Sequence, residues 1–183
     1  TSDITDDEKT IIEKYLSDGG KVYLILGDTT SDTPNLDGIM SDYGLKKVSG
    51  YIADTQRCYQ GNYYAIFPQL SLSGDMGSGI SNQMVLLLNS PGMEKTDTDN
   101  DNLTVTPFMQ TSDSGYAVTE NDQTQGQYIL GAVSTNAISG DSSDSDSEDE
   151  DDKSDATDTD TKTARLTVLA SASMISSDIT DQL

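Results

Sequence analysis

The chain has no histidine and no tryptophan, and its single cysteine is Cys58. Without histidine, Ser-His-Asp and Cys-His catalysis, histidine metal centres and histidine pH switching are all excluded. One cysteine cannot close an intramolecular disulfide or build a multi-cysteine metal site, and such sparse usage does not choose a compartment. Basic residues are few: 10 Lys and Arg stand against 32 Asp and Glu, for a formal net charge of -22. That balance argues against grasping nucleic-acid backbones, which takes clustered Lys and Arg. It also disfavours adsorption to anionic membrane surfaces. Long apolar runs are missing too, since Met84 to Leu88 falls far short of the roughly 20 residues of a membrane span. No charged-then-apolar leader precedes Thr1, so the expectation is a processed chain or an excised piece of a larger protein.

The 183 residues suffice for one domain with its own core, expected over 1–183. Thr5-Asp6-Asp7-Glu8 reads as a capping box, and acids in the first turn suit the positive end of a helix dipole. Ile11, Ile12, Tyr15 and Leu16 form a stripe at helical spacing, stopped by Gly19-Gly20. Val22 to Leu26 then predicts a strand buried on both faces. A second unit repeats the order. Thr33-Pro34 predicts an N-cap with proline in the first turn, and Leu36, Ile39, Met40 and Tyr43 face a core. Gly44 ends that helix, and Leu45 to Ala53 predicts one strand with Gly50 a bulge. Two helix–Gly–strand units in succession point to an α/β fold with part of its sheet parallel.

Further strands are expected at Tyr63 to Phe67, Met84 to Leu88, Leu103 to Gln110, Gln127 to Ile138 and Arg165 to Ala170. Pro107 places an edge or a bulge in the third of these. Residues 140–161 are mainly Ser, Asp, Glu and Thr without apolar anchors, which predicts a disordered acidic insertion between adjacent strands. Its bland reading is a solvated spacer; the alternative is a tail for a basic partner or loosely held cations. Ser-Asp-Ile-Thr-Asp occurs at Ser2–Asp6 and again at Ser177–Asp181, read as two helix entrances.

Asp97, Asp99 and Asp101 alternate like the start of a calcium loop, but Asn102 stands where the turn glycine belongs and Phe108 where the closing glutamate belongs. A solvated turn fits better. Cys58 lies between Arg57 and Tyr59, yet no histidine exists to act as its base. Gly74 to Gly79 has glycines able to approach a phosphate but lacks the lysine of a P-loop. Asn102-Leu103-Thr104 is a glycosylation sequon, relevant only in a eukaryotic secretory setting. Asp28, Thr29 and Thr30 follow the first strand, where open α/β sheets place ligands, and are the best ligand-binding candidates. For Asp28 a turn or helix-entry role competes with that reading. No catalytic set and no metal or cofactor site is expected.

The stretch from Asp6 through Tyr15-Leu16-Ser17-Asp18-Gly19-Gly20 to Val22-Tyr23-Leu24-Ile25-Leu26 resembles the auxiliary ABC-transport family related to gliding-motility proteins. So do Pro34-Asn35-Leu36 with Tyr43-Gly44-Leu45, the strand Val105 to Ser112 ending in Thr-Ser, and Arg165-Leu166-Thr167-Val168-Leu169. The resemblance implies a three-layer α/β fold, flavodoxin-like or glutamine-amidotransferase-like, with a partly parallel sheet and helices on both faces. It implies a non-catalytic, extracytoplasmic accessory domain of a bacterial ABC transport system. The implied partners are permease and ATPase subunits, with membrane anchors outside this segment. The alternative is a sensor holding a sugar or peptide in the crevice near Asp28. The chain departs from the family in its acidic insertion. At Ala170-Ser171-Ala172-Ser173 it departs again, since a Gly-Asp-like turn is expected there.

Overall fold

Helix α1 (Asp6–Ser17) begins at the capping box the sequence predicts: the Glu8 N–H donates to the Thr5 hydroxyl and the Thr5 N–H to the Glu8 carboxylate. The computed structural model describes residues 3–27, 32–72, 84–138 and 162–175. Only Leu16 of the expected apolar stripe is fully buried, while Ile11 and Tyr15 are 67% and 54% exposed. The helix therefore seats a narrow edge. Strand β1 (Lys21–Ile25) follows, then α2 (Pro34–Asp42), whose Ile39 and Met40 are buried as their spacing predicts.

Thirteen short strands dominate the described residues. After β1 come β2 (Leu45–Lys47), β3 (Tyr51–Asp54), β4 (Cys58–Tyr59), β5 (Asn62–Ile66), β6 (Gln69–Leu70) and β7 (Leu87–Leu88). Then follow β8 (Met93–Lys95), β9 (Leu103–Gln110), β10 (Gly115–Val118), β11 (Gln123–Gln125), β12 (Ile129–Ile138) and β13 (Lys162–Leu169). The main sheet runs β1-β13-β12-β8-β2, with β9 also on β12 and β6 on β9. Two three-stranded sheets, β11-β10-β3 and β4-β5-β7, stand beside it.

This architecture overturns the expected three-layer α/β fold. Strands hold 44% of the described residues and helical turns 18%, so the chain is mostly β. Among the described residues only β1 with β13 pairs in parallel; β2 lies antiparallel on β8, far from β1 in the strand order. The helices do not flank the sheet on both faces. Helix α1 packs on α2, β1 and β13, and α2 on β2. The Ser134 hydroxyl donates to the Tyr43 carbonyl from the face that buries Ala132, Leu166 and Val168. On the opposite face, register aligns Tyr23, Thr167, Val133 and Thr106 in one row and Lys21, Arg165, Thr135 and Thr104 in the next. Tyr23 is 61% exposed there, which a covering helix would not allow. Two helix–Gly–strand units misled because local order does not say which strands pair.

Two strand assignments are corrected in the same way. Strand β1 is an edge strand with alternating exposure, not one buried on both faces. Leu45 to Ala53 is broken at Gly50, whose φ of 85° turns the chain from β2 into β3 of another sheet. A Cβ there would clash with the Val118 carbonyl, so only glycine fits. Pro107 sits at a bulge as expected: the β9–β12 register slips beside it, pairing Gly131 with Met109 but Ala132 with Pro107. Ile138, at the end of β12, pairs with Lys162, at the start of β13.

Candidate functional site

Strand β3 carries the chain from an apolar core contact at Ile52 to a fully buried carboxylate at Asp54. A charge removed from water needs several donors, and Asp54 has them. Its Oδ1 accepts the N–H groups of Gln56 and Arg57, each at 2.9 Å, and the Ser112 hydroxyl at 2.8 Å. Its Oδ2 accepts the Ser112 N–H at 2.7 Å. Burial pushes the pKa up, but the hydrogen bonds from Ser112, Arg57 and Gln56 outweigh it and hold the carboxyl below its ordinary value. Next to Ser112, the buried Thr111 hydroxyl accepts the Tyr128 N–H at 2.9 Å, and the Tyr128 hydroxyl donates to the Thr124 carbonyl at 2.8 Å. One carboxylate thus ties β3, the loop after it and the end of β9 together.

That tie positions Arg57. Its backbone is fixed by Asp54 and by the Phe67 N–H, which donates to the Arg57 carbonyl at 2.8 Å. Its guanidinium Nε donates to the Phe67 carbonyl at 2.7 Å and Nη2 to the Pro68 carbonyl at 3.4 Å. These contacts occupy one edge of the planar fork and leave the Nη1 and Nη2 end for another acceptor. Among the described residues no carboxylate lies within 4.0 Å of it, although acids outnumber bases threefold in the chain. Gln56 is held as well, its Nε2 donating to the Ser114 hydroxyl at 2.7 Å.

Arg57 stands at an open groove of about 440 Å³. Phe67, Pro68, Leu70, Met84 and Val85 supply apolar walls, with Gln56, Arg57 and Cys58 as the polar groups. The Tyr59 ring packs edge-on against Phe67, centroids 5.9 Å apart, which stiffens one wall. A second depression, about 430 Å³, is lined by Lys46, Lys47, Glu94, Asp122 and Tyr128 among others. Its cations are already paired, Lys46 with Glu94 at 3.0 Å and Lys47 with Asp37 at 2.8 Å. The Arg57 groove is the better binding candidate. A pocket with apolar walls and a few fixed polar groups is what small-ligand recognition needs.

Asp28, Thr29 and Thr30, the candidates read from the sequence, lie outside the described residues, as do Gly74 to Gly79, residues 140–161 and the second Ser-Asp-Ile-Thr-Asp. The neighbouring start of α2 is described, and its anion position is filled from within. Thr33 is the N-cap with Pro34 in the first turn, as the sequence predicts, but its side chain makes no capping hydrogen bond. Instead Asp3 Oδ2 accepts the Asn35 N–H at 2.7 Å and Oδ1 the Leu36 N–H at 3.2 Å. Thr33 is engaged by Asp37 and Lys47. The Asp97–Asp101 segment is a loop that ends in a turn at Asp101-Asn102, where the Leu103 N–H donates to the Asn100 carbonyl and the Asn102 N–H to the Asn100 side chain. Among the described residues no cluster of three or more His, Cys, Asp or Glu is placed to hold a metal.

The sequence reading missed Asp54 and the groove role of Arg57. A signal was present: an acid closing the apolar run Tyr51-Ile52-Ala53, followed by Thr-Gln-Arg, is an Asx-type turn at a strand end. Thr111 and Ser112, noted only as a strand-ending pair, are its other half.

No protein-family model matches the chain, and no curated protein matches it. Among solved structures the mmIFT52 N-terminal domain is similar, with a TM-score of 0.58 and 14% identity. The match covers 99% of this chain and 66% of that one, so this chain spans just under two thirds of its length. At that identity the likeness is one of fold alone.

Proposed function

We propose that this chain is a non-catalytic recognition domain, the extracytoplasmic accessory part of a bacterial ABC transport system. The observation that supports recognition is the fixed arginine at the apolar groove: Arg57 is anchored through backbone and side chain, with its fork end open among the described residues. Preorganised donors of this kind favour binding because little side-chain entropy is lost on contact. The buried carboxylate of Asp54 beside the groove is fully engaged by four hydrogen bonds and serves to hold Arg57 rather than to move protons. The transport setting and the permease and ATPase partners rest on the resemblance in the sequence.

The test is affinity purification of the protein, with its natural flanking sequence, from gently solubilised bacterial membranes. Co-purification of permease and ATPase subunits is the expected result. Their absence, where other transporter complexes survive the same detergent, removes the transport reading.

A further inference from the structure

We propose that the Arg57 groove binds a carboxylate joined to an apolar group. The inference deepens the recognition reading and rests on it. Three features select this chemistry. The guanidinium end left open by the Phe67 and Pro68 carbonyls presents two parallel N–H donors, the geometry that receives a carboxylate in bidentate fashion. No carboxylate of the described residues occupies it. The walls around it, Phe67, Leu70, Met84 and Val85, offer contact only to an apolar body. Met84 is 70% exposed, more than a side chain of its kind prefers, and a bound apolar group covers such a surface. A volume of about 440 Å³ falls within the ordinary range of small-ligand pockets. A lysine could attract the same charge but not fix its orientation.

Cys58 supplies the readout. It is the chain's one cysteine, it lines the groove and it is half-buried, so a groove ligand shields it from a maleimide reagent. Phenylacetate and phenylacetamide, equal in shape and different in charge, are the probes, used on the full 183-residue chain. Phenylacetate is expected to slow Cys58 labelling and to shift the backbone amide signals of Arg57, Cys58 and Phe67. The amide is expected to need about tenfold more for the same protection, and Arg57→Gln to erase that difference. A phenylalanine-terminated peptide, with free or amidated C-terminus, separates a protein terminus from a free organic acid as the source. Protection by the free-acid form of either probe supports the inference. Equal protection by acid and amide on the unmodified chain overturns it, whether or not the variant folds. So does acid binding that leaves Cys58 labelling unchanged. If permease and ATPase subunits still co-purify while the probes fail, the ligand class falls and the accessory reading stands.

Discussion

Asp54 and Ser112, 58 residues apart in the chain, meet in a two-bond clasp: the Ser112 N–H donates to Oδ2 at 2.7 Å and its hydroxyl to Oδ1 at 2.8 Å. Both residues are buried, so water cannot replace either bond. The clasp joins β3 to the end of β9, elements of different sheets, and through the Arg57 N–H it also sets the groove. Asp54→Asn puts an amide where donors converge. A loss of about 2–4 kcal/mol in unfolding free energy is expected from the stranded donors. Ser112→Ala, which removes one hydroxyl donor, should lose about 1–2 kcal/mol. Urea titrations of the two variants and the double variant measure the coupling. Additive losses would falsify the clasp.

Acid should loosen this network in a defined direction. Hydrogen bonding holds the Asp54 pKa below its ordinary value despite burial, so the folded chain binds fewer protons there than the unfolded chain. The associated stability is fully present above the unfolded pKa, about pH 4, and is lost as pH falls through the lower, folded value. Asp3 shifts in the same direction, with burial opposed by the Asn35, Leu36 and Ile4 amides and by Lys47. Glu8 does too, through the Thr5 N–H and hydroxyl. Melting temperatures taken from pH 6 to pH 3 should fall more steeply for the unmodified chain than for Asp54→Asn, which has no proton to gain at that position. Parallel curves would show that Asp54 is not part of the acid response.

The Asp3 contacts explain why sequence and structure diverge at α2. Thr33-Pro34 has the local chemistry of a helix start, and helix, proline and boundary are all where the sequence puts them. The capping acceptor comes instead from Asp3, 32 residues away from Asn35, which no local pattern encodes. The same division runs through the fold. The capping box, the Ile39 and Met40 face and the Pro107 bulge depend on neighbours in sequence and were legible. Strand partners depend on contacts across the chain: β1 finds β13, in the one parallel pairing among the described residues, and β2 finds β8, so the strands of the two similar local units do not lie side by side. The groove was hidden for the same reason, since it joins Arg57 to Leu70 and Val85. Asp3→Ala should lower the melting temperature and leave α1 intact, seen as slower loss of amide protection in α1 than in α2 on hydrogen exchange.

Gly50 tests the break between β2 and β3. For any side chain there, the φ of 85° and the nearby Val118 carbonyl combine a strained backbone with a backbone clash. Gly50→Ala is expected to cost about 2–4 kcal/mol, more than the roughly 1–2 kcal/mol of left-handed backbone alone because the clash adds to it. The clash lies against β10, so the loss should appear first as faster amide exchange in β3 and β10. If the variant unfolds at the same urea concentration as the parent, the two-strand description of Leu45 to Asp54 is wrong.

The pairing of Ile138 with Lys162 makes a stronger demand on the chain between them. Partners in an antiparallel ladder lie about 5 Å apart, a gap that two residues close in a tight hairpin. Replacing residues 139–161 with Asn-Gly should therefore leave the β12–β13 ladder and its neighbours unchanged. Shortening the connection removes about three doublings of loop length, so closure alone raises stability by about 2 kcal/mol. Loss of negative charge, from the acids that residues 139–161 contain, acts the same way by relieving self-repulsion. The two contributions separate with salt: the charge part shrinks as ionic strength rises, and the closure part does not. Amide signals of Ala164, Leu166 and Val168 that move on replacement, or a lower urea midpoint, would mean that residues 139–161 hold the sheet together rather than merely connect its strands.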